Sequence, residues 1–123
     1  RMLSNLETDR EKLLQIVLVG QPELENILNT PQMRQLRQRI TVKIKLQPLS
    51  YFHTQKYIFH RLKIAGANKS IGFTQEAFNK IYTFTEGIPR LINNACENIL
   101  LVGCLNKTKI INTELVNSVL NAF

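Results

Sequence analysis

Two short stretches in this chain read as β-strands, and everything after the second reads as helix. Residues 16–19 (Ile16-Val17-Leu18-Val19) form an unbroken, mostly β-branched apolar run, the pattern of a parallel strand buried on both faces. Residues 41–46 alternate strictly: Val42, Ile44 and Leu46 share one face and Lys43 and Lys45 the other, the pattern of an edge strand whose outer face is guarded by lysine. Two strands joined through helix imply an α/β layer, yet two strands do not complete one. The expectation is mostly α with a partial α/β piece, the remaining strands coming from outside these residues. The chain opens on Arg1 with Met2 second, which suggests an excised fragment.

The elements between and after these strands follow from caps and spacing. Met2, Leu3 and Leu6 fit the end of a helix over residues 1–7, followed by a polar turn at 8–12. Gly20-Gln21-Pro22 stops the first strand. Pro22 suits a first helical turn, where its missing N–H would be unbonded in any case, and that helix runs to about Leu28. Met33, Leu36 and Ile40 stripe a short helix. Past Gln47-Pro48-Leu49 four helices are expected. Ser50 caps one to about Ala65, with Phe52, Ile58, Leu62 and Ala65 inward and Gly66 closing it. Thr74 caps the next, with Ala77, Phe78, Ile81 and either Phe84 or Tyr82 inward, ending at Gly87. Pro89 opens a long helix with Leu91, Ile92, Ala95, Cys96, Ile99, Leu100 and Gly103 on its apolar face. Asn112 or Thr113 caps the last, carrying Leu115, Val116, Val119 and Leu120. The division falls near Pro48: residues 1–48 end the α/β layer and 49–123 form the helical part.

Composition narrows the function classes. Hydrophobic residues at 44% and charged residues at 20% belong to a globular chain rather than a disordered one. No apolar run approaches the ~18–20 residues of a membrane span, and residues 1–15 lack the apolar core of a secretory signal. Cys96 and Cys104 stand eight apart in one expected helix, about 12 Å along its axis, too far for a disulfide that needs Cα atoms within about 7 Å. Two lone thiols fit a reducing cytosol. They make no metal spacing with His53 and His60, so no metal site is expected. The net charge is +7, and no acidic residue occurs from 26 to 75, a stretch holding Arg34, Arg37, Arg39, Lys43, Lys45, Lys56, Arg61, Lys63 and Lys69. That stretch is either a solvated basic face or the face of a nucleotide-phosphate or nucleic-acid site.

Four residues are placed where chemistry would need them. Gln21 follows the carboxyl end of the buried strand, the side on which open sheets bind ligand. Its amide either orients a water or a phosphate there, or caps the next helix. Arg90 stands one residue after Pro89, where a cation opposes the helix dipole by some tenths of a kcal/mol. It is either an anion-binding arginine acting with the helix start, or a solvated one, or one paired with Glu86. Arg37 and Arg39 flank the stripe of Met33, Leu36 and Ile40, and either reach a neighbouring subunit's phosphate or form surface ion pairs.

Taken together, Gln15-Ile16-Val17-Leu18-Val19-Gly20-Gln21-Pro22-Glu23-Leu24, Leu36-Arg37-Gln38-Arg39-Ile40, Leu46-Gln47-Pro48-Leu49-Ser50, Tyr57-Ile58, Arg61-Leu62, Ala65-Gly66 and Gly87-Ile88-Pro89-Arg90-Leu91-Ile92-Asn93 resemble the AAA+ ATPase domain of general secretion pathway protein A and its relatives, over nearly the whole chain. The resemblance implies that residues 16–20 and 41–46 are the fourth and fifth core strands and that residues 49–123 are the lid. It implies Gln21 as sensor 1, Arg39 with Arg37 second as the arginine finger, and Arg90 as sensor 2. It also implies ATP and Mg²⁺ in the intact protein, a homo-oligomer, inner-membrane secretion components as partners, and the cytoplasmic face of a bacterial inner membrane as location. The intact protein would couple ATP hydrolysis to assembly of an export complex or pilus. Two rival readings are the ATPase of a transposition or other DNA-handling system, which shares the Gly-Ile-Pro-Arg pattern, and a helical nucleic-acid-binding module without ATP. This sequence departs from the ATPase pattern in having no Gly-x-x-x-x-Gly-Lys-Ser/Thr and no apolar strand ending in paired acids, which would lie before Arg1. Without them these residues are expected to hydrolyse no ATP. Tyr51-Phe52-His53 also replaces the charged residues usual after the opening serine of the lid.

Overall fold

A computed structural model describes residues 15–67 and 71–122. The expected helix end at 1–7 and turn at 8–12 lie outside the described residues. The chain divides into two compact units, Arg1–Lys45 and Leu46–Phe123.

In the first unit, α1 (Glu23–Leu28) starts directly after Pro22, whose φ of −52° is already helical. A 3₁₀ turn (Pro31–Met33) leads into α2 (Arg34–Arg39). The Thr30 hydroxyl donates to the Ile27 carbonyl at 2.7 Å and closes α1. Met33 and Leu36 are only half covered. The two expected strands are the main correction: neither 16–20 nor 41–46 forms a ladder with any described residue. Val17 and Val19, expected to be buried, are 81% and 87% exposed, and Ile44 is 81% exposed. A strand is a property of a pair, because its N–H and C=O groups bond sideways to a neighbour. A β-like pattern with no neighbour stays an unpaired segment.

The second unit is helical with one small sheet. It comprises α3 (Tyr51–Ile64), β1 (Gly72–Phe73), α4 (Gln75–Thr85), α5 (Pro89–Leu105), β2 (Ile110–Ile111) and α6 (Thr113–Leu120). Side-chain oxygens cap three helices: Ser50 accepts from the His53 N–H, Thr74 from Ala77 and Asn112 from Leu115. Each such bond satisfies a donor that the first turn leaves orphaned, worth about 1 kcal/mol. Pro89 is the first residue of α5, as its position suggested.

Helices α4, α5 and α6 pack on one another, and α3 lies against α4 and α5. The core is Ile58, Ala77, Phe78, Ile81, Ile92, Ala95, Ile99, Ile111, Val116 and Val119. Rings extend it outward: Phe73 stacks on Phe78 at 5.1 Å and Phe59 tilts against Phe78 at 5.3 Å. Three inward assignments are corrected. Phe52 and Ala65 are exposed, and Leu91 is 38% exposed. Thr54 takes the buried place on α3, since the inward stripe runs through Tyr51, Thr54, Ile58 and Leu62. Of Phe84 and Tyr82, it is Tyr82 that is half buried, edge-on to Tyr51 at 5.5 Å.

The expectation of helix alone after Pro48 is also corrected. β1 and β2 pair in parallel, Gly72 with Ile110 and Phe73 with Ile111. Gly72 N–H donates to Lys109 O at 2.9 Å and Thr74 N–H to Ile111 O at 3.0 Å. The next residue after each strand is a helix cap, Thr74 for α4 and Asn112 for α6, so the pair holds two helix starts side by side. Gly103 lets β2 approach α5, because a Cβ there would lie 2.9 Å from the Ile111 Cδ1.

Candidate functional site

The turn between α4 and α5 is built from residues 87–93, Gly-Ile-Pro-Arg-Leu-Ile-Asn. After Thr85 the chain passes through two left-handed residues, Glu86 (φ 49°) and Gly87 (φ 75°). The Glu86 N–H donates to Tyr82 O at 2.8 Å and the Ile88 N–H to Thr85 O at 2.9 Å. The Gly87 carbonyl accepts from the Leu49 N–H at 2.8 Å. A side chain at Gly87 would place its Cβ 1.9 Å from the Leu49 carbonyl oxygen, so backbone meets backbone and only glycine fits. This contact fastens the chain entering α3 to the turn that opens α5.

Most of the string is thereby occupied with structure. Pro89 starts the helix, and Ile92 is in the core at 1% exposure. Asn93 Oδ1 accepts from the Tyr57 hydroxyl at 3.1 Å, tying α5 to α3. Ile88 and Leu91 lie half exposed beside them. Arg90 differs. It is exposed in the first turn of α5, and among the described residues no hydrogen bond or ion pair holds it, to Glu86 or to any other. The helix start has no side-chain cap and no acidic residue in its first turn. Orphaned N–H groups and a guanidinium therefore stand at one helix end, an arrangement that receives an anion. Two buried hydroxyls flank the fastened segments, Thr54 Oγ1 and Thr85 Oγ1, neither with a partner among the described residues. An unsatisfied buried hydroxyl costs about 1–3 kcal/mol.

The other three candidates belong to the first unit. Gln21 is exposed, and α1 has no side-chain cap; the Gln21 carbonyl, not its amide, accepts from the Leu24 N–H at 2.9 Å. The helix-capping alternative for its side chain is thereby corrected. Arg37 is half buried and donates from Nη1 to Asn29 Oδ1 at 3.2 Å, joining α2 to the end of α1. Arg39 is the last residue of α2 and exposed, where its charge suits the helix dipole. The structure gathers Gln21, Arg37 and Arg39 in one unit and Arg90 in the other. Sequence reasoning missed the Tyr57–Asn93 bond and the Leu49–Gly87 contact. The Gly-x-Pro spacing was the available signal for the second; the first had none.

No group of three or more His, Cys, Asp or Glu among the described residues is arranged to hold a metal, and no helix among them is long and apolar enough to cross a membrane. Cys96 and Cys104 are both free thiols. Burial against the core pushes the Cys96 thiol up to about 12. The thiolate is the nucleophile, so iodoacetamide at pH 8 should label Cys104 first and Cys96 only once the fold opens. Peptide mass mapping checks this, and equal labelling rates in the native protein would contradict it.

Among its described residues the second unit defines a class: a helical module with a parallel strand pair, presenting the exposed Arg90 without a described partner at the opening of its longest helix. Over 101 residues, 82% of its length, the chain is 48% identical to General secretion pathway protein A of Aeromonas hydrophila. The chain belongs to the general secretion pathway protein A family. It spans 18% of that relative's length. No family model matches the chain, and no solved structure matches it.

Proposed function

We propose that the chain is the C-terminal part of an AAA+ ATPase module, residues 1–48 closing the nucleotide core and 49–123 forming its helical lid. The intact protein would serve general (type II) secretion or pilus assembly, coupling ATP binding and hydrolysis to assembly of an inner-membrane export complex on the cytoplasmic side. The name of the relative supports the secretion part of this reading. The ATP part rests on Arg90, an exposed cation that no other described residue holds, at an uncapped helix start. In this reading Arg90 is the lid arginine facing nucleotide phosphate, Gln21 is sensor 1, and Arg39, with Arg37 second, is the finger extended to a neighbouring subunit of a homo-oligomer. The anion-receiving end of α5 fits a phosphate group. Mg²⁺ would be held elsewhere in the intact protein, since no described cluster of acids fits it. ATP supplies the phosphoryl chemistry when bound; Arg90 binds and orients.

Arg90→Ala tests the reading through two opposite signs. Arg90 lies outside the core and opposes the helix dipole, so its loss should leave the stability without nucleotide equal or higher by some tenths of a kcal/mol, with the melting temperature unchanged or slightly raised. The thermal shift on adding ATP to the intact protein should shrink. A variant that melts several degrees lower without nucleotide would make Arg90 a structural arginine and remove the main support for the ATP reading.

A further inference from the structure

The outer side of α3 has chemistry that the turn at Gly87 does not use. Phe52, Lys56, Phe59, His60 and Lys63 are all exposed. At 3.6 residues per turn they fall in one stripe roughly 100° wide, away from the side that carries Thr54 and Ile58 into the core. The helix contains no acidic residue. Lys56 Nζ sits 4.3 Å from the Phe52 ring centroid. Phe59, half exposed, is braced from behind by Phe78 at 5.3 Å. The two phenyl rings stand seven positions apart, about 10 Å along the axis, with lysines between and beyond them.

Scattered exposed apolar residues need no explanation, but phenyl groups interleaved with lysines on an acid-free helix face match an anionic bilayer surface. Aromatic rings settle at the boundary of headgroups and acyl chains while ammonium groups reach lipid phosphates. A single-stranded nucleic acid matches less well. Bases stack on open ring faces along a groove, whereas Phe52 already carries Lys56 over its ring with His53 beside it at 5.8 Å, and Phe59 is packed on Phe78. We infer that the outer face of α3 docks on an anionic lipid surface, lying flat on it. The helix is 14 residues long, short of the ~20 a span requires. This inference does not depend on nucleotide binding.

Flotation of the 123-residue chain with vesicles of phosphatidylcholine alone, and of phosphatidylcholine with phosphatidylserine, tests it. Binding is expected on the anionic vesicles and should fall as salt is raised. The double variant Lys56→Glu/Lys63→Glu should lower it by at least about 25-fold, taking roughly fivefold for each lysine near the surface. Phe52→Ser should weaken binding with the charge unchanged. All three side chains are exposed, so the melting temperature should hold; if the double variant nonetheless unfolds, Lys56→Gln/Lys63→Gln replaces it. Equal binding to neutral and anionic vesicles, or indifference to the lysine changes, overturns the proposal. So does binding of a single-stranded oligonucleotide, but of no vesicle, that the same lysine changes abolish.

Discussion

Gly87→Ala should destabilise the helical unit by more than about 3 kcal/mol. Three costs coincide at this position. The residue holds φ at 75°, a region that costs a side-chain-bearing residue about 1–2 kcal/mol. The new Cβ would sit 1.9 Å from the Leu49 carbonyl oxygen, well inside the ~3.5 Å of ordinary nonbonded contact. That oxygen is backbone and has no rotamer to move into, so the two segments must part. Parting them breaks the 2.8 Å bond from the Leu49 N–H to the Gly87 carbonyl, worth about 1 kcal/mol net. In a domain of this size each kcal/mol lowers Tm by about 4–8 °C, so a loss of at least about 12 °C is expected by circular dichroism. Gly66→Ala is the matched control. Gly66 also has positive φ, at 83°, but a Cβ there meets nothing within 4 Å. It should lose only the conformational part, about 1–2 kcal/mol. Equal losses at the two glycines would mean that the Leu49 contact does not fasten the start of α3.

This contact also marks where the sequence was legible and where it was not. Helix starts were readable because a cap is a local event: Ser50, Thr74 and Asn112 each bond an N–H three positions along, and Pro89 needs no partner at all. Core positions on α4, α5 and α6 were readable because their apolar spacing is regular. On α3 the spacing misled. Phe52 looks like a core residue by type, but Thr54 holds the buried register and the ring faces out. Strands were the least readable. The long patterns at 16–20 and 41–46 promised sheet that no described partner completes. The true pair at 72–73 and 110–111 is two residues deep, too short for alternation to show. The candidate site was legible as residue types, but not as a division of labour. That Gly87, Pro89, Ile92 and Asn93 are all occupied while Arg90 is not depends on distances no spacing reveals.

Exposure, rather than bonding, separates Arg39 from Arg37, and that difference sets the largest expected loss of activity. An arginine that stabilises charge on a neighbour's nucleotide has to extend from its own subunit. Arg37 is half buried and donates to Asn29, holding α2 to α1. Arg39 ends α2 exposed, on the last turn. In the intact protein, Arg39→Ala is therefore expected to lower the ATP hydrolysis rate by about 10³-fold or more, with nucleotide affinity little changed, since the finger acts on charge that develops in the transition state. Arg37→Ala should instead lower stability by about 1 kcal/mol through the lost bond to Asn29. Mixing Arg39→Ala subunits with subunits altered in the phosphate loop should restore part of the activity. Each site in such a mixture needs one intact phosphate loop and one intact finger, and these come from different chains. Steady-state phosphate release with nucleotide binding measured in parallel checks both. Normal hydrolysis by Arg39→Ala would return the role to Arg37. Silence of both variants in the mixing assay would show that neither arginine acts across a subunit boundary.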